Sequence, residues 1–305
     1  MEIESFAENV KECVKERLGK GYSVAVRKVD KNNGVTYTGL CVTKDDASMS
    51  PVVYMNGYYD TFKKGNTTPA DAADHVADIC RRNRHTVNMK RFLDYKDVRG
   101  SIVYKLINTD KNRELLEDLP HMEFLDLSIV FQCLVENEEI GTATILIHNV
   151  HLKLWGVSVE ELYRAAEQNT PRLCGYEIKG MKEMLCEIMQ REKANKKSDC
   201  GVFMEDLEAG IPIYVLSNMH RIDGAACILY PNLLKDFSYA LGSGFYIIPS
   251  SVHEVLLLPA ENTDNREEFR EIIREVNDTQ LMEEEILSYS LYYYDAEADE
   301  VRICD

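Results

Sequence analysis

Residues 245–258 read FYIIPSSVHEVLLL, and this stretch decides the fold class. Two apolar runs, 245–248 and 252–258, lie on either side of Pro249-Ser250-Ser251, whose residue types favour a turn. Short runs of Ile, Val and Leu between turn signals predict strands, and so short a connection predicts that they pair antiparallel. Because apolar side chains fill nearly every position, we expect both faces of the sheet to be covered and Leu256 to lie in the core.

Helices and hairpins alternate through the rest of the chain. An amphipathic helix over 6–18 precedes Asn32-Asn33-Gly34, a signal for a hairpin turn with positive φ. Further hairpins are predicted over 127–147 and, around an acidic turn, over 291–303. There is no regular strand–helix–strand rhythm. The pattern therefore predicts an α+β fold of antiparallel hairpins and meanders interspersed with helices, and not a doubly wound parallel sheet.

Three further elements are predicted from local pattern alone. Apolar residues between Met89 and Ile107 recur at helical spacing, so we expect a helix there. Ser158 and Glu161 have the spacing of a capping box, which begins another helix that we expect Pro171 to end. The apolar run 225–229 is expected to be a strand.

The chain is expected to divide into two domains near residue 98. Residues 1–98 are predicted to hold a helix, a three-stranded meander and a further helix that begins at Pro69, where the missing N–H costs nothing. Residues 99–305 are predicted to form a larger α+β domain. Within it, the polar and charged residues 193–199 are a candidate linker.

The charge of the chain is strongly acidic and unevenly distributed. The chain has 52 acidic and 35 basic residues, a formal net charge of -17. Residues 1–110 hold 18 basic and 15 acidic residues, a net of +3, and residues 111–305 hold 17 and 37, a net of -20. Such a balance argues against a protein that coats nucleic acid or anionic lipid with its whole surface.

The cysteines and the apolar runs bear on the compartment. The nine cysteines are odd in number and include no Cys-x-x-Cys pair, and the acidic start of the chain lacks the features of a secretory signal. No apolar run approaches the ~20 residues that cross a bilayer. We therefore expect a cytoplasmic protein with reduced thiols and no membrane partner. Phosphate-loop, dinucleotide, nucleophile-elbow and zinc-helix patterns are also missing from the sequence, so we expect no cofactor.

The candidates for catalysis lie in two polar loops, 217–223 and 250–254. Loops on rigid strands often carry function, and these hold groups that serve as acid, base or nucleophile. Cys227 beside an imidazole would form a thiolate–imidazole pair. The simpler interpretation is two turns and an inert, buried Cys227. The candidate side chains are His220, Asp223, Ser251, His253 and Glu254.

His148 and His151 are a weak candidate for metal binding. Two imidazoles three residues apart bind one metal if the backbone is helical there, but a catalytic zinc needs a third protein ligand. The alternative is that His148 and Asn149 cap a strand-to-helix turn.

The run 81–105 is the only basic segment. Arg81, Arg82, Arg84 and Arg91 lie in it with aromatic residues between them, a composition that suits single-stranded nucleic acid or an acidic partner. The total charge opposes nucleic-acid binding, and aromatic residues at such spacing are more often part of a core.

Several segments of the sequence, taken together, have a familiar order. They are Asn32–Val35, Ser50-Pro51 before an apolar strand, Trp155–Ser158, Leu216–Ala226 and Tyr246–Val255. Together they resemble the bacterial domain-of-unknown-function family numbered 5688. The resemblance covers nearly the whole chain and implies a bacterial cytosolic protein. It implies no activity, cofactor or catalytic residue.

We therefore expect a binding or protein-interaction module without catalysis, which binds a protein partner or associates with another copy of itself. One alternative is a hydrolase or transferase with a site in loops 217–223 and 250–254. The second alternative is nucleic-acid binding through 81–105. If the two loops meet, with His220 and His253 within reach of each other, the enzyme hypothesis is favoured.

Overall fold

The computed structural model describes residues 1–45, 52–82, 91–137, 141–184, 186, 212–260 and 266–304. The chain forms two compact units. The first is Met1–Val98 with Glu136–Thr142, and the second is Arg99–Val135 with Ala143–Asp305.

The first unit packs helices on a three-stranded antiparallel sheet with the order β1-β2-β3. Asn33 and Gly34 both adopt positive φ between β1 and β2, as their residue types predict. The core lies between the sheet and the helices and includes Phe6, Val10, Leu40 and Val76. The elements are α1 (Ile3–Leu18), β1 (Tyr22–Asp30), β2 (Thr36–Lys44), β3 (Val52–Tyr54), α2 (Asn56–Lys63), α3 (Pro69–Arg82) and α4 (Tyr95–Val98).

The second unit contains most of a four-stranded antiparallel sheet, and the strand residues within 136–142 belong to the first unit. Its central strand β6 pairs with β4, β5 and β7, and β5 pairs with no other described strand. The elements are β4 (Ile102–Asn108), α5 (Arg113–Leu116), β5 (His121–Phe124), β6 (Leu127–Asn137), β7 (Gly141–Leu146), α6 (Asn149–Trp155) and α7 (Val159–Cys174).

The same unit contains a six-stranded antiparallel sheet with the order β13-β12-β10-β11-β9-β8. The strand β13 is at one edge of this sheet. The elements are β8 (Glu177–Gly180), β9 (Tyr214–Ser217), α8 (Leu233–Leu241), β10 (Phe245–Ile248), β11 (Val255–Pro259), α9 (Arg266–Thr279), β12 (Tyr292–Asp295) and β13 (Glu300–Ile303).

The predicted α+β class and the antiparallel pairing within 245–258 are confirmed, but the second strand begins at Val255 and not at Val252, because residues 249–254 form the connection between the strands. Ile247 is opposite Leu257 in the β10–β11 ladder, and helices cover both faces of this pair. On one face Tyr246 packs on Phe269 of α9, and on the other Phe245 packs on Phe237 of α8. The expectation for Leu256 is only partly met, because Leu257 is fully buried and Leu256 is half-buried.

The three elements predicted from local pattern are wrong in type or extent. Residues 102–108 of the predicted helix 89–107 form β4, because the pairing of Ile102-Val103-Tyr104 with β6 outweighs the helical spacing. The capping box of Ser158 and Glu161 is confirmed at the start of α7, but the helix continues through Pro171 to Cys174. The segment 225–229 belongs to a 3₁₀-helix, Gly224–Leu229. The predicted linker 193–199 lies outside the described residues.

Within the described residues, no helix is long and apolar enough to cross a membrane. None of the eight cysteines described there forms a disulfide bond.

Candidate functional site

The loops 217–223 and 250–254 meet in the structure. The hydroxyl of Ser217 donates to the carbonyl oxygen of His253 at 2.7 Å, and the N–H of Asp223 donates to Nδ1 of the same histidine at 3.2 Å. The N–H of Ala225 donates to the carbonyl oxygen of Val252 at 3.2 Å. Strand order explains the contact, because β9 and β11 are paired neighbours and one loop leaves β9 where the other enters β11.

The first loop is held in shape by Asn218. Its side-chain amide donates to the carbonyl oxygen of Ile222 at 2.7 Å, and its side-chain oxygen accepts from the N–H of His220 at 3.0 Å. Arg221 and Asp223 both adopt positive φ. Sequence reasoning did not single out Asn218, although an Asn directly after a strand signals a turn bonded to its own backbone.

His253 is bonded in a way that fixes its neutral tautomer. Nδ1 accepts the N–H of Asp223, so the ring proton is assigned to Nε2. Nε2 lies 3.9 Å from a carboxylate oxygen of Glu285. The hydroxyl of Ser251 accepts from the backbone N–H of His253 at 3.0 Å and is buried. This bond to the backbone closes a turn and does not pair the hydroxyl with the imidazole as a nucleophile requires.

The remaining catalytic candidates lie around this pair of loops. A carboxylate oxygen of Asp223 accepts from the side-chain amide of Gln132 at 3.0 Å, which ties the loop to β6. Glu254 accepts the N–H of Ser251 with its backbone carbonyl. His220 is exposed, with Nε2 3.4 Å from the carbonyl oxygen of Leu173.

Cys227 does not have the surroundings of a nucleophile. It is fully buried in the 3₁₀-helix Gly224–Leu229. Burial raises the pKa of its thiol to about 12, so almost no thiolate forms near neutral pH.

His148 and His151 take part in a helix start. His148 is the N-cap of α6, and its N–H donates to Nδ1 of His151 at 2.8 Å, which is the capping alternative. Nδ1 of His148 lies 2.7 Å from a carboxylate oxygen of Asp118. Burial and the neighbouring His148 lower the pKa of His151. No group of three or more His, Cys, Asp or Glu among the residues that the structure describes is arranged to hold a metal.

The basic run is described only in part. Arg81 pairs with Asp78 at 3.1 Å and donates to the carbonyl oxygen of Arg17, and Arg82 is exposed. Arg84 and the side chain of Arg91 lie outside the described residues. Phe92 and Tyr104, two of the aromatic residues in the run, are buried and so unavailable for stacking on bases.

A cavity of about 480 Å³ lies elsewhere in the second unit, and sequence reasoning missed it. No local pattern signals it, because five separate segments form its walls. They are 122–124, Ile129, Tyr163, residues of 228–235 and residues of 294–301. Its floor is apolar and preformed, since Ile129, Ile228 and Leu234 are each about 5% exposed.

Polar groups at one side of the cavity bond to each other. Nζ of Lys235 donates to one carboxylate oxygen of Asp299 at 2.8 Å, and the hydroxyl of Tyr294 donates to the other at 2.5 Å. These two bonds, that of Lys235 first, lower the pKa of Asp299. Burial and the same carboxylate raise the pKa of Tyr294.

Two edge strands border the cavity, and we call it the β5–β13 groove. Met122, Glu123 and Phe124 of β5 line it on one side, and Glu300 and Val301 of β13 on the other. Each of these strands has one neighbour among the described strands, β6 for β5 and β12 for β13. The groove is therefore a concave, partly apolar surface to which an edge strand of each sheet contributes.

Comparison with known proteins gives one match. Residues 3–296 match the model of the Family of unknown function (DUF5688). No curated protein and no solved structure matches the chain. Because the match covers almost the whole sequence, the chain belongs to the DUF5688 family.

Proposed function

We propose that the protein is an interaction module without chemistry of its own, and that its partner binds in the β5–β13 groove. One observation carries this proposal: an apolar-floored cavity of about 480 Å³ is lined by two edge strands, β5 and β13, each of which has one paired neighbour among the described strands. Pockets that bind ligands have volumes of this order. Free strand edges are common docking sites for peptides.

The polar groups of the loops 217–223 and 250–254, in contrast to the groove, are engaged in bonds within the fold. The side-chain oxygen atoms of Ser217, Asn218 and Ser251 bond to loop backbone, and Asp223 bonds to Gln132. Groups engaged in this way hold a fold together and need rearrangement before they act on a substrate. The groove needs no such rearrangement, because its floor is already formed.

The experiment is a selection of random peptides displayed on phage against the full chain. Enriched peptides are synthesised, and their affinities are measured for the parent, Val301→Trp and Ile303→Trp. Both positions are aliphatic residues of β13, but only Val301 lines the groove. Indole at position 301 fills the cavity, so we expect binding to weaken about tenfold or more there and to be unchanged in the Ile303 control.

Two results would contradict the proposal. One is the absence of any enriched peptide that binds the purified parent. The other is equal affinity for the parent and Val301→Trp, with the variant shown to be folded by circular dichroism.

A hydrolase or transferase is the second candidate, because the loops 217–223 and 250–254 touch and His253 lies between them. Its imidazole is about one third exposed, with Glu285 3.9 Å from Nε2. The test is turnover of an activated ester by the parent and by His253→Gln. The interaction proposal predicts no turnover that depends on His253, whereas loss of a substantial rate in the variant would favour the enzyme.

A further inference from the structure

We infer that the occupant of the β5–β13 groove is an extended, basic segment of another protein, added as a strand to the free edge of β5. This inference rests on the proposed function and specifies the conformation and charge of the partner. Three properties of the groove lead to it: the geometry of β5, the nature of the walls and the balance of charge.

The first property is that β5, a strand with one paired neighbour among the described strands, lines the cavity. Met122, Glu123 and Phe124 are consecutive, and all three line the cavity. Ile129, which is opposite Met122 in the β5–β6 ladder, also lines the cavity, so the cavity lies against the face of the sheet that these two side chains share. A strand paired with the free edge of β5 would place alternate side chains over that same face and so into the cavity.

The second property is that the walls suit an extended peptide. A strand added to an edge satisfies the N–H and C=O groups of both chains, whereas a helix leaves those of the edge to water. The four residues of β5 span about 13 Å at about 3.3 Å each, enough to pair with a short segment. Apolar side chains of such a segment would lie on the floor near Ile129 and Ile228.

The third property is the negative charge of the groove. Glu123, Lys235, Asp299 and Glu300 line it, and Lys235 pairs with Asp299. Glu123 and Glu300 are exposed, and neither forms an ion pair with any residue that the structure describes. Two carboxylates thus lack cationic partners among those residues, which favours Lys or Arg in the occupant.

Charged residues on edge strands also prevent copies of a protein from pairing with one another. That role accounts for Glu123 on β5 but requires no apolar cavity beside it. It also disfavours a second copy as the occupant, because two β5 edges would bring like charges together. A basic segment of another protein would complement the carboxylates, pair with the free edge of β5 and cover the apolar floor.

The test begins with the peptides selected on the full chain. Each is synthesised unmodified and with N-methyl groups on alternate backbone amides, in both phases. In a bound strand, alternate amides point toward the neighbouring strand. We therefore expect one phase to weaken binding about tenfold or more and the other to have little effect.

The second experiment reverses charge in the protein. Glu123→Lys combined with Glu300→Lys should weaken binding about tenfold and reduce its dependence on salt. The matched control combines Glu114→Lys with Glu297→Lys, two exposed acids outside the groove, and should bind as the parent does.

The outcomes separate this inference from the proposed function. Peptides that lose affinity for Val301→Trp but respond equally to both methylation phases and to neither charge variant overturn the inference and leave the proposed function standing. If no selected peptide loses affinity for Val301→Trp, the inference and the proposed function are both overturned. Concentration-dependent dimers that Val301→Trp abolishes would show that a second copy occupies the groove, which overturns the heterologous partner.

Discussion

Replacing Gly224 by Ala tests how tightly the two polar loops hold each other. A Cβ at this position would lie within 3.0 Å of the hydroxyl of Ser217, the carbonyl oxygen of His253 and, at 2.7 Å, the backbone nitrogen of Asn218. Two of these three atoms are backbone, so no side-chain rotation relieves the overlap. Gly224 does not have positive φ, and the cost is therefore steric.

The size of the effect follows from three contributions. Overpacking a well-filled site costs about 1–3 kcal/mol. Separating the loops also weakens the bonds from Ser217 and Asp223 to His253, each with a net contribution of about 1 kcal/mol. The lower entropy of Ala in the unfolded chain offsets about 0.4–1 kcal/mol. We expect a net loss of about 2–5 kcal/mol in the free energy of unfolding.

The assay is urea denaturation followed by the fluorescence of Trp155, the single tryptophan, which lies in the same compact unit. The control is Gly180→Ala, where a Cβ meets nothing described within 4 Å, and it should change stability by less than about 1 kcal/mol. Ser217→Ala should not rescue Gly224→Ala, because the backbone contacts remain. A Gly224→Ala protein within about 0.5 kcal/mol of the parent would refute this account of the loop contact.

Four further predictions concern two buried tyrosine hydroxyls, a buried thiol and an exposed carboxyl group. The hydroxyl of Tyr104 is buried without a hydrogen-bond partner among the described residues, so Tyr104→Phe should raise stability by about 1 kcal/mol. Tyr292→Phe should lower it by about 2 kcal/mol, because that hydroxyl donates to Asp126 at 2.5 Å; the opposite order in urea melts would contradict both. Iodoacetamide at pH 8 should label Cys227 far more slowly than the partly exposed Cys13, since burial raises the pKa of Cys227 to about 12. The labelling is followed by peptide mass mapping, and equal rates at the two cysteines would contradict this prediction. The lowered pKa of Asp299 means that its bonds stabilise the fold above the ordinary carboxyl pKa of about 3.9 and that this contribution is lost as pH falls through the lower folded value. The stability difference between the parent and Asp299→Asn should therefore shrink between pH 5 and pH 2, and a constant difference would be inconsistent with the ion pair.

The fold class was predictable because short-range signals agree with the long-range pairing. The apolar runs at 245–248 and 252–258 are too rich in branched residues and too short for helices, and turn residues separate them. Their pairing buries both faces, so pattern and structure coincide. Leu256 shows the limit of the pattern, because an unbroken apolar run does not tell which of its residues are fully buried and which, like Leu256, are only half-buried.

The predicted type or extent of an element was wrong where tertiary contacts outweigh local preference. Tyr104 lies in a stretch whose apolar residues have helical spacing, but in the structure it is opposite Phe131 in a sheet ladder. Pro171 has no N–H to donate, yet α7 continues past it, with the hydroxyl of Thr170 bonded to the carbonyl oxygen of Ala166 at 2.6 Å. The run at 225–229 winds into a 3₁₀-helix after Asp223 turns the chain with positive φ.

The candidate sites also divide into features that local sequence identifies and features that depend on strand pairing. The polar loops 217–223 and 250–254 were identifiable as neighbours of strands, but their bonding depends on the pairing of β9 with β11. The groove was beyond prediction, because Met122 and Val301 are far apart in sequence and meet only through the order of strands in two sheets.

Amide hydrogen exchange tests the central claim most directly. A selected peptide is added to the full chain, and exchange is compared by mass spectrometry with and without it. Binding in the groove predicts slower exchange in the peptide fragment that contains 121–125, because an added strand bonds the free edge of β5. Unchanged exchange there, with new protection at 217–224 and 251–254 instead, would contradict the claim and place the binding site at the polar loops.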